Sequence, residues 1–116
     1  MENKTKTVTL RFRVVDKNNF DEIRNGLKTV ETRAASKRYR DIQKGDTLVI
    51  VCGKEKVVKE VKSAHYFKTI GGMLKTISLK KIMPSVKTII EARKVYYGYP
   101  EYREKIKEFG VVAWEL

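Results

Sequence analysis

The 116-residue chain, 41% hydrophobic, is long enough for one core, and that composition excludes disorder. No apolar run approaches the roughly 20 residues that span a bilayer, the first seven residues lack a signal-peptide core, and a single Cys with a single His excludes an internal disulfide and a Cys/His zinc centre. Lys and Arg number 26 against 14 acidic residues, a formal net charge of +12.

Residues 8–14 alternate apolar and polar side chains. That spacing predicts a strand with Val8, Leu10, Phe12 and Val14 inside and Thr9, Arg11 and Arg13 outside. Asn18 or Asn19 can cap a short helix, with Asp21 and Glu22 in its first turn and Phe20, Ile23 and Leu27 on its apolar side. Gly26 suits the left-handed residue that ends a helix. Residues 28–34 read as a second strand leading into a basic loop, Ser36-Lys37-Arg38-Tyr39-Arg40. Lys44-Gly45-Asp46 signals a turn into an apolar strand over 47–52, where Cys52 reads as a core residue. Residues 56–67 follow a second tight turn as one long strand, its broken alternation suggesting a bulge or bend.

Past Gly71-Gly72 the texture is helical, with Met73, Leu74 and Ile77 in one apolar cluster and Leu79, Ile82 and Met83 in another. Ser85 can cap a helix from about Val86 to Tyr97, in which Val86, Ile89, Ile90 and Tyr97 follow a 3.6 period. Pro100 opens a further helix over 101–109, Gly110 closes it, and 111–116 form a terminal strand. Strands first, helices late and a closing strand predict an α+β fold, a small closed or half-closed barrel with helices over its openings.

A charge of this size governs association and costs self-repulsion, so a polyanionic partner explains it better than the balanced ion pairs of a heat-adapted surface. An anionic membrane does not fit, because no segment joins a basic face to a strongly apolar one. The expectation is a cytoplasmic single domain over residues 1–116, without metal or cofactor, that meets nucleic acid or a nucleotide.

Lys28, Glu31 and Arg33 place three charges within six residues. On a regular strand Glu31 and Arg33 share a face and Lys28 lies opposite, so convergence requires a twist or a strand that starts after Lys28. If they converge, Lys28 and Arg33 donate to a phosphate or base carbonyl, and Glu31 accepts from an amine, steadies a cation or acts as a base. Otherwise they are an exposed strand with a salt bridge worth about 0–1 kcal/mol. Tyr39 lies between Arg38 and Arg40, and Tyr96, Tyr97, Tyr99 and Tyr102 cluster near the end of the late helix. Rings beside cations suit unstacked bases, although Tyr97 and Phe109 read better as packing residues. Tyr66 can face core or cleft. His65 has no acidic partner identifiable from sequence and reads as structural or surface.

The run Gly26-Leu27-Lys28-Thr29-Val30-Glu31-Thr32-Arg33 fits the pattern G-x-K-x-x-E-x-R and resembles the motif of ASCH domains, within the PUA-like superfamily. The resemblance extends from about Leu10 to Glu115, through the turn at Lys44-Gly45-Asp46, Tyr66-Phe67, Met73-Leu74, Ile82-Met83-Pro84 and Gly110-Val111-Val112-Ala113-Trp114. It implies a PUA-like β-barrel of about five to six strands with a cleft beside the motif. The implied role is binding of RNA or a nucleotide, in RNA metabolism or translation-linked regulation. Candidate contacts are Lys28, Glu31, Arg33, Lys37, Arg38, Tyr39, Arg40 and Tyr66. The alternative is a small hydrolase, acting on a modified nucleoside in the manner of acetylcytidine amidohydrolases or on RNA as a ribonuclease. Lys28 and Glu31 would then be the acid–base pair, supported by Tyr66 or Ser63. The amidohydrolase branch carries a threonine nucleophile where this chain has Glu31, and Thr29 and Thr32 are out of register for that role. A protein partner is a third possibility.

Overall fold

The computed structural model describes residues 4–116; the first three residues of the N-terminal segment read above lie outside it. Alternating side chains build β1 (Thr7–Phe12), in which Leu10 is fully buried and Arg11 exposed. The expected inward position of Val14 is not met: a 3-10 turn at Val14–Asp16 ends the alternation, leaving Val14 and Val15 exposed. α1 (Lys17–Arg24) starts at Asp16, so Asn18 and Asn19 sit inside the helix and not at its cap. Phe20 and Ile23 are buried as the pattern predicts, whereas Leu27, past the helix end, points to solvent. Gly26 adopts φ +82, the left-handed turn that releases the chain from α1.

β2 (Val30–Ala34) is followed by β3 (Thr47–Cys52), β4 (Glu55–Glu60) and β5 (Ser63–Phe67). The predicted long strand over 56–67 is thus two strands, and the break in its alternation is a change of sheet. β1, β3 and β4 form one three-stranded sheet in that order, with β1 parallel to β3. β5 joins the other sheet, of order β2-β6-β5, where β6 (Val111–Glu115) is central and antiparallel to both neighbours. Among the described residues the pairing gives two three-stranded sheets and not one continuous ring. The α+β expectation is met, with six strands and five α-helices.

β6 is apolar at successive positions because both its faces are covered. Val111 and Ala113 join a core with Ile70, Met73, Ile82, Ala92 and Ile106 from the helices. Val112 and Trp114 face the opposite core, with Leu10, Phe20, Ile23, Leu48 and Ile50. Cys52 is buried in this second core, as expected.

The helices are α2 (Ile70–Thr76), α3 (Leu79–Ile82), α4 (Ile89–Gly98) and α5 (Tyr102–Phe109). α4 begins later than the sequence suggests. Thr88 is its cap, accepting from the Glu91 amide at 3.1 Å, while Ser85 donates instead to the buried Glu22 carboxylate at 2.5 Å. The buried side of α4 is Ala92 and Tyr96; Ile89 and Ile90 are exposed, so the 3.6 period selected the wrong face. No helix among the described residues is long and apolar enough to cross a membrane.

Two constraints are testable. Gly110 joins α5 to β6 at φ +81, and a Cβ there would lie 2.6 Å from the Phe67 carbonyl oxygen. Gly26 has the same backbone sign with nothing within 4 Å. Chemical denaturation should show Gly26→Ala losing about 1 kcal/mol, the left-handed penalty, and Gly110→Ala losing more than about 2 kcal/mol because a clash adds to it; equal losses would contradict the packing. Asp46 is buried at the turn before β3, and burial alone would raise its pKa. Backbone amides of Gln43 and Lys6, each 3.0 Å away, and Lys6 Nζ at 3.3 Å outweigh that and hold the carboxyl below its ordinary value. Its contribution to stability is therefore complete above about pH 4 and is lost as pH falls through the depressed value. Unfolding measured against pH should show Asp46→Asn flattening the profile in that acid window.

Candidate functional site

Because β2 begins at Val30, Lys28 is free of the strand's alternation and turns toward Glu31. Its ammonium donates to the Ile82 carbonyl at 2.5 Å and lies 3.4 Å from Glu31 Oε1. That oxygen also accepts the Thr32 amide at 3.0 Å. Two residues on, Arg33 Nε reaches Glu31 Oε2 at 3.4 Å, and Arg33 Nη2 donates to the Arg11 carbonyl at 3.3 Å. Lys28 and Glu31 are nearly inaccessible, at 5% and 4% exposure. The three charges of the motif therefore converge, with one carboxylate answering two cations.

These groups border a cleft of about 210 Å³. That is below the roughly 300–1,000 Å³ of drug-sized sites and suits one ring or one small charged group. β2 lies at an edge of its sheet, so Thr32 from its other face also reaches the cleft, its hydroxyl 2.5 Å from that of Tyr96. β1 contributes Arg11 and Phe12, and Arg13 follows directly after it. The turn between α4 and α5 contributes Tyr99, Pro100 and Tyr102, with the Tyr99 and Tyr102 rings edge to face at 5.2 Å. Four cations and two carboxylates, Asp16 and Glu31, line the whole. Arg13 is paired with Asp16 at 2.8 Å and lies over the Tyr99 ring.

Protonation follows from burial and neighbours. Burial pushes the Tyr99 hydroxyl up to about 12, with the carboxylates of Asp16 and Glu31 adding to the effect. Burial likewise raises Tyr96 and Tyr102. All three phenols therefore stay protonated near neutral pH and serve as hydrogen-bond donors, not bases. Burial works against the Arg33 charge, but Glu31 outweighs it and the guanidinium pKa lies above its ordinary value. Arg33 is a permanent cation with two of its five N–H donors in use among the described residues.

The remaining candidates lie elsewhere. Lys37, Arg38 and Arg40 are exposed on the loop after β2 and do not line the cleft. Tyr39 of that loop is half-buried against Trp114, and the guanidiniums of Arg33 and Arg38 each lie 5.6 Å from its ring centre. The loop thus meets the cleft through a shared ring. Tyr66 is outside the cleft. β5 is the far edge of its sheet from β2, and the exposed Tyr66 hydroxyl donates to the Phe109 carbonyl at 3.1 Å. Ser63, also on β5, contacts only His65 Nε2, at 3.1 Å; His65 has an acidic neighbour after all, Glu115 at 3.7 Å. Arg11, Arg13, Thr32 and Tyr96 were not anticipated as cleft residues. For Arg11 and Arg13 the outward positions on β1 were the available signal, but nothing local tells that β1 lies across from β2. Among the described residues no three His, Cys, Asp or Glu side chains come together as metal ligands.

Comparison with known proteins bears on the family and the fold. The family model for the ASCH domain matches residues 14–116. The crystal structure of hypothetical protein PH0355 is similar, with 29% identity and a TM-score of 0.77 over 97% of this chain and 96% of that one. So is the solution structure of protein PF0455 from Pyrococcus furiosus, with 31% identity and a TM-score of 0.66 over 96% and 93%. No curated protein sequence matches. A family match over nearly the whole chain, joined to the converged G-x-K-x-x-E-x-R motif, settles the affiliation: the chain belongs to the ASCH domain family.

Proposed function

We propose that the protein is an RNA-binding module that receives the base or the phosphate of one unpaired nucleotide in the cleft beside Lys28, Glu31 and Arg33. What carries this reading is the charge count: Glu31 answers both Lys28 and Arg33, so one positive charge in a largely buried site lacks a counterpart among the described residues. A buried uncompensated charge is costly, and a bound phosphate or the electron-rich carbonyl of a base offsets it. Both contacts to Glu31 are 3.4 Å, longer than the roughly 2.7–2.9 Å of a tight charged hydrogen bond, which leaves the Arg33 guanidinium, with three N–H donors unused among the described residues, able to turn to a ligand. The Tyr99 and Tyr102 rings and their protonated hydroxyls suit the faces and edges of a base. Lys37, Arg38 and Arg40 are assigned to flanking phosphates, reached across Tyr39. Tyr66 takes no part. Family membership supports an RNA ligand in general terms, and the charge of +12 accords with it.

The hydrolase alternative uses the same residues, and their bonding disfavours it. Thr32, the hydroxyl nearest Glu31 in sequence, is held by Tyr96, and the Lys28 ammonium is held by the Ile82 carbonyl. The Thr32 hydroxyl would have to leave Tyr96 before attacking a carbonyl, and Glu31, the base of the pair, already meets the Thr32 amide and both cations. A panel of acylated nucleosides and RNA should remain intact at high protein concentration; turnover abolished by Lys28→Ala in a folded variant would restore the enzymatic reading.

Binding is the positive test. Fluorescence titration with a single-stranded RNA of about ten nucleotides should weaken with salt at a log–log slope near −0.7 per neutralised phosphate. Arg33→Ala should weaken it roughly 10- to 100-fold, the worth of a hydrogen bond to a charged group. Arg33→Lys should recover little, because an ammonium lacks the planar fork. Absence of binding at low salt, or affinity indifferent to Arg33, would overturn the reading.

A further inference from the structure

The solvent side of α4 carries a groove lined by Ile90, Arg93, Lys94, Tyr97, Gly98 and Arg103. Three of these are cations, and no carboxylate lines it. The Arg103 guanidinium lies 4.5 Å from the centre of the Tyr97 ring, closer than the other cation–ring contacts among the described residues. Tyr97 is 37% exposed, so this pair is a preassembled platform open to solvent and not a core contact. An unbalanced positive groove holding a stacked ring and guanidinium is complementary to a phosphate next to a flat base.

The groove and the cleft share a wall. Tyr96, Tyr99, Pro100 and Tyr102 line the cleft, whereas Tyr97, Gly98 and Arg103 line the groove. Residues of the end of α4, the start of α5 and the turn between them thus divide between the two sites. Glu101 at this turn has φ +60, the one non-glycine residue with positive φ among those described, which marks a strained backbone between the two sites.

We infer that the groove is a second RNA subsite. Arg93, Lys94 and Arg103 hold phosphates of the nucleotides next to the one in the cleft, and the Tyr97–Arg103 platform stacks an adjoining base. This rests on the reading of the cleft as a nucleotide site, and the two fail differently.

The experiment compares a nucleoside monophosphate, a single-stranded RNA of about ten nucleotides and a poly-glutamate peptide. They are titrated into the wild type, Arg33→Ala, Tyr97→Ala, and a variant combining Arg93→Ala, Lys94→Ala and Arg103→Ala. All the groove positions changed are exposed, and circular dichroism checks the fold. Tyr97→Ala should weaken oligonucleotide binding about tenfold, within the usual worth of a stacked base. The triple variant should make the salt slope shallower by about two, the share of three phosphates on a single strand. Neither should alter monophosphate binding, which Arg33→Ala should reduce. Oligonucleotide affinity and salt slope unchanged in both groove variants would overturn the second subsite while leaving the cleft reading intact. Loss of poly-glutamate binding without loss of RNA binding would overturn it in favour of an acidic protein partner. No RNA binding by the wild type would overturn both.

Discussion

The arrangement turns on one carboxylate. Glu31 is buried at the edge of a sheet, where a carboxylate without partners costs several kcal/mol. It is stabilised by the Thr32 amide, by Lys28 and by Arg33. Each partner is fixed in turn by something distant in sequence. Lys28 is anchored to the Ile82 carbonyl at the end of α3, and Arg33 to the Arg11 carbonyl on β1. The motif therefore ties together both sheets and the helical layer. Because two cations share Glu31, the knot is left positively charged, and on our proposal the same feature that organises the fold makes the cleft receptive to an anion or a base carbonyl.

β6 explains why the knot is held rigidly. It is the central strand of its sheet and is buried on both faces, by Val111 and Ala113 toward the helices and by Val112 and Trp114 toward the first sheet. Glu31 pairs with Trp114 across the ladder. The edge strand β2 that carries the site is thus paired to a strand fixed from both sides. The turn between α4 and α5 adds aromatic rings from the opposite wall. Its residues divide between the cleft and the outer groove, so one short segment shapes two neighbouring surfaces.

Much of this was legible in the chain. The alternation in β1, the turns at Gly45 and Gly53, and the closing helix and strand matched the structure because each is specified by residues within a few positions. The convergence of Lys28, Glu31 and Arg33 was legible as a condition, that the strand start after Lys28, and β2 begins at Val30. What failed was long-range or competitive. Ser85 has the chemistry of a helix cap but is claimed by Glu22, 63 positions away in sequence, and Thr88 takes its place. Ile89 and Ile90 fit an apolar period, yet Tyr96 is the residue buried, through its bond to Thr32. Residues 56–67 read as one strand because alternation cannot reveal that the chain crosses to another sheet at Val61. Arg11 and Arg13 could not be assigned to the site for the same reason, since their approach to β2 is a matter of sheet placement. The family resemblance located the motif but not the wall opposite it.

The most direct measurement is a heteronuclear NMR titration that follows the Thr32 amide and the Arg33 Nε–H resonance as a short single-stranded RNA is added. Both protons point at Glu31 in the free protein. If the surplus charge of the cleft is the ligand's docking point, these two signals should shift together and saturate with the binding curve. RNA-dependent shifts confined to the exposed 37–40 loop or to β5, with Thr32 and Arg33 unmoved at saturation, would contradict it.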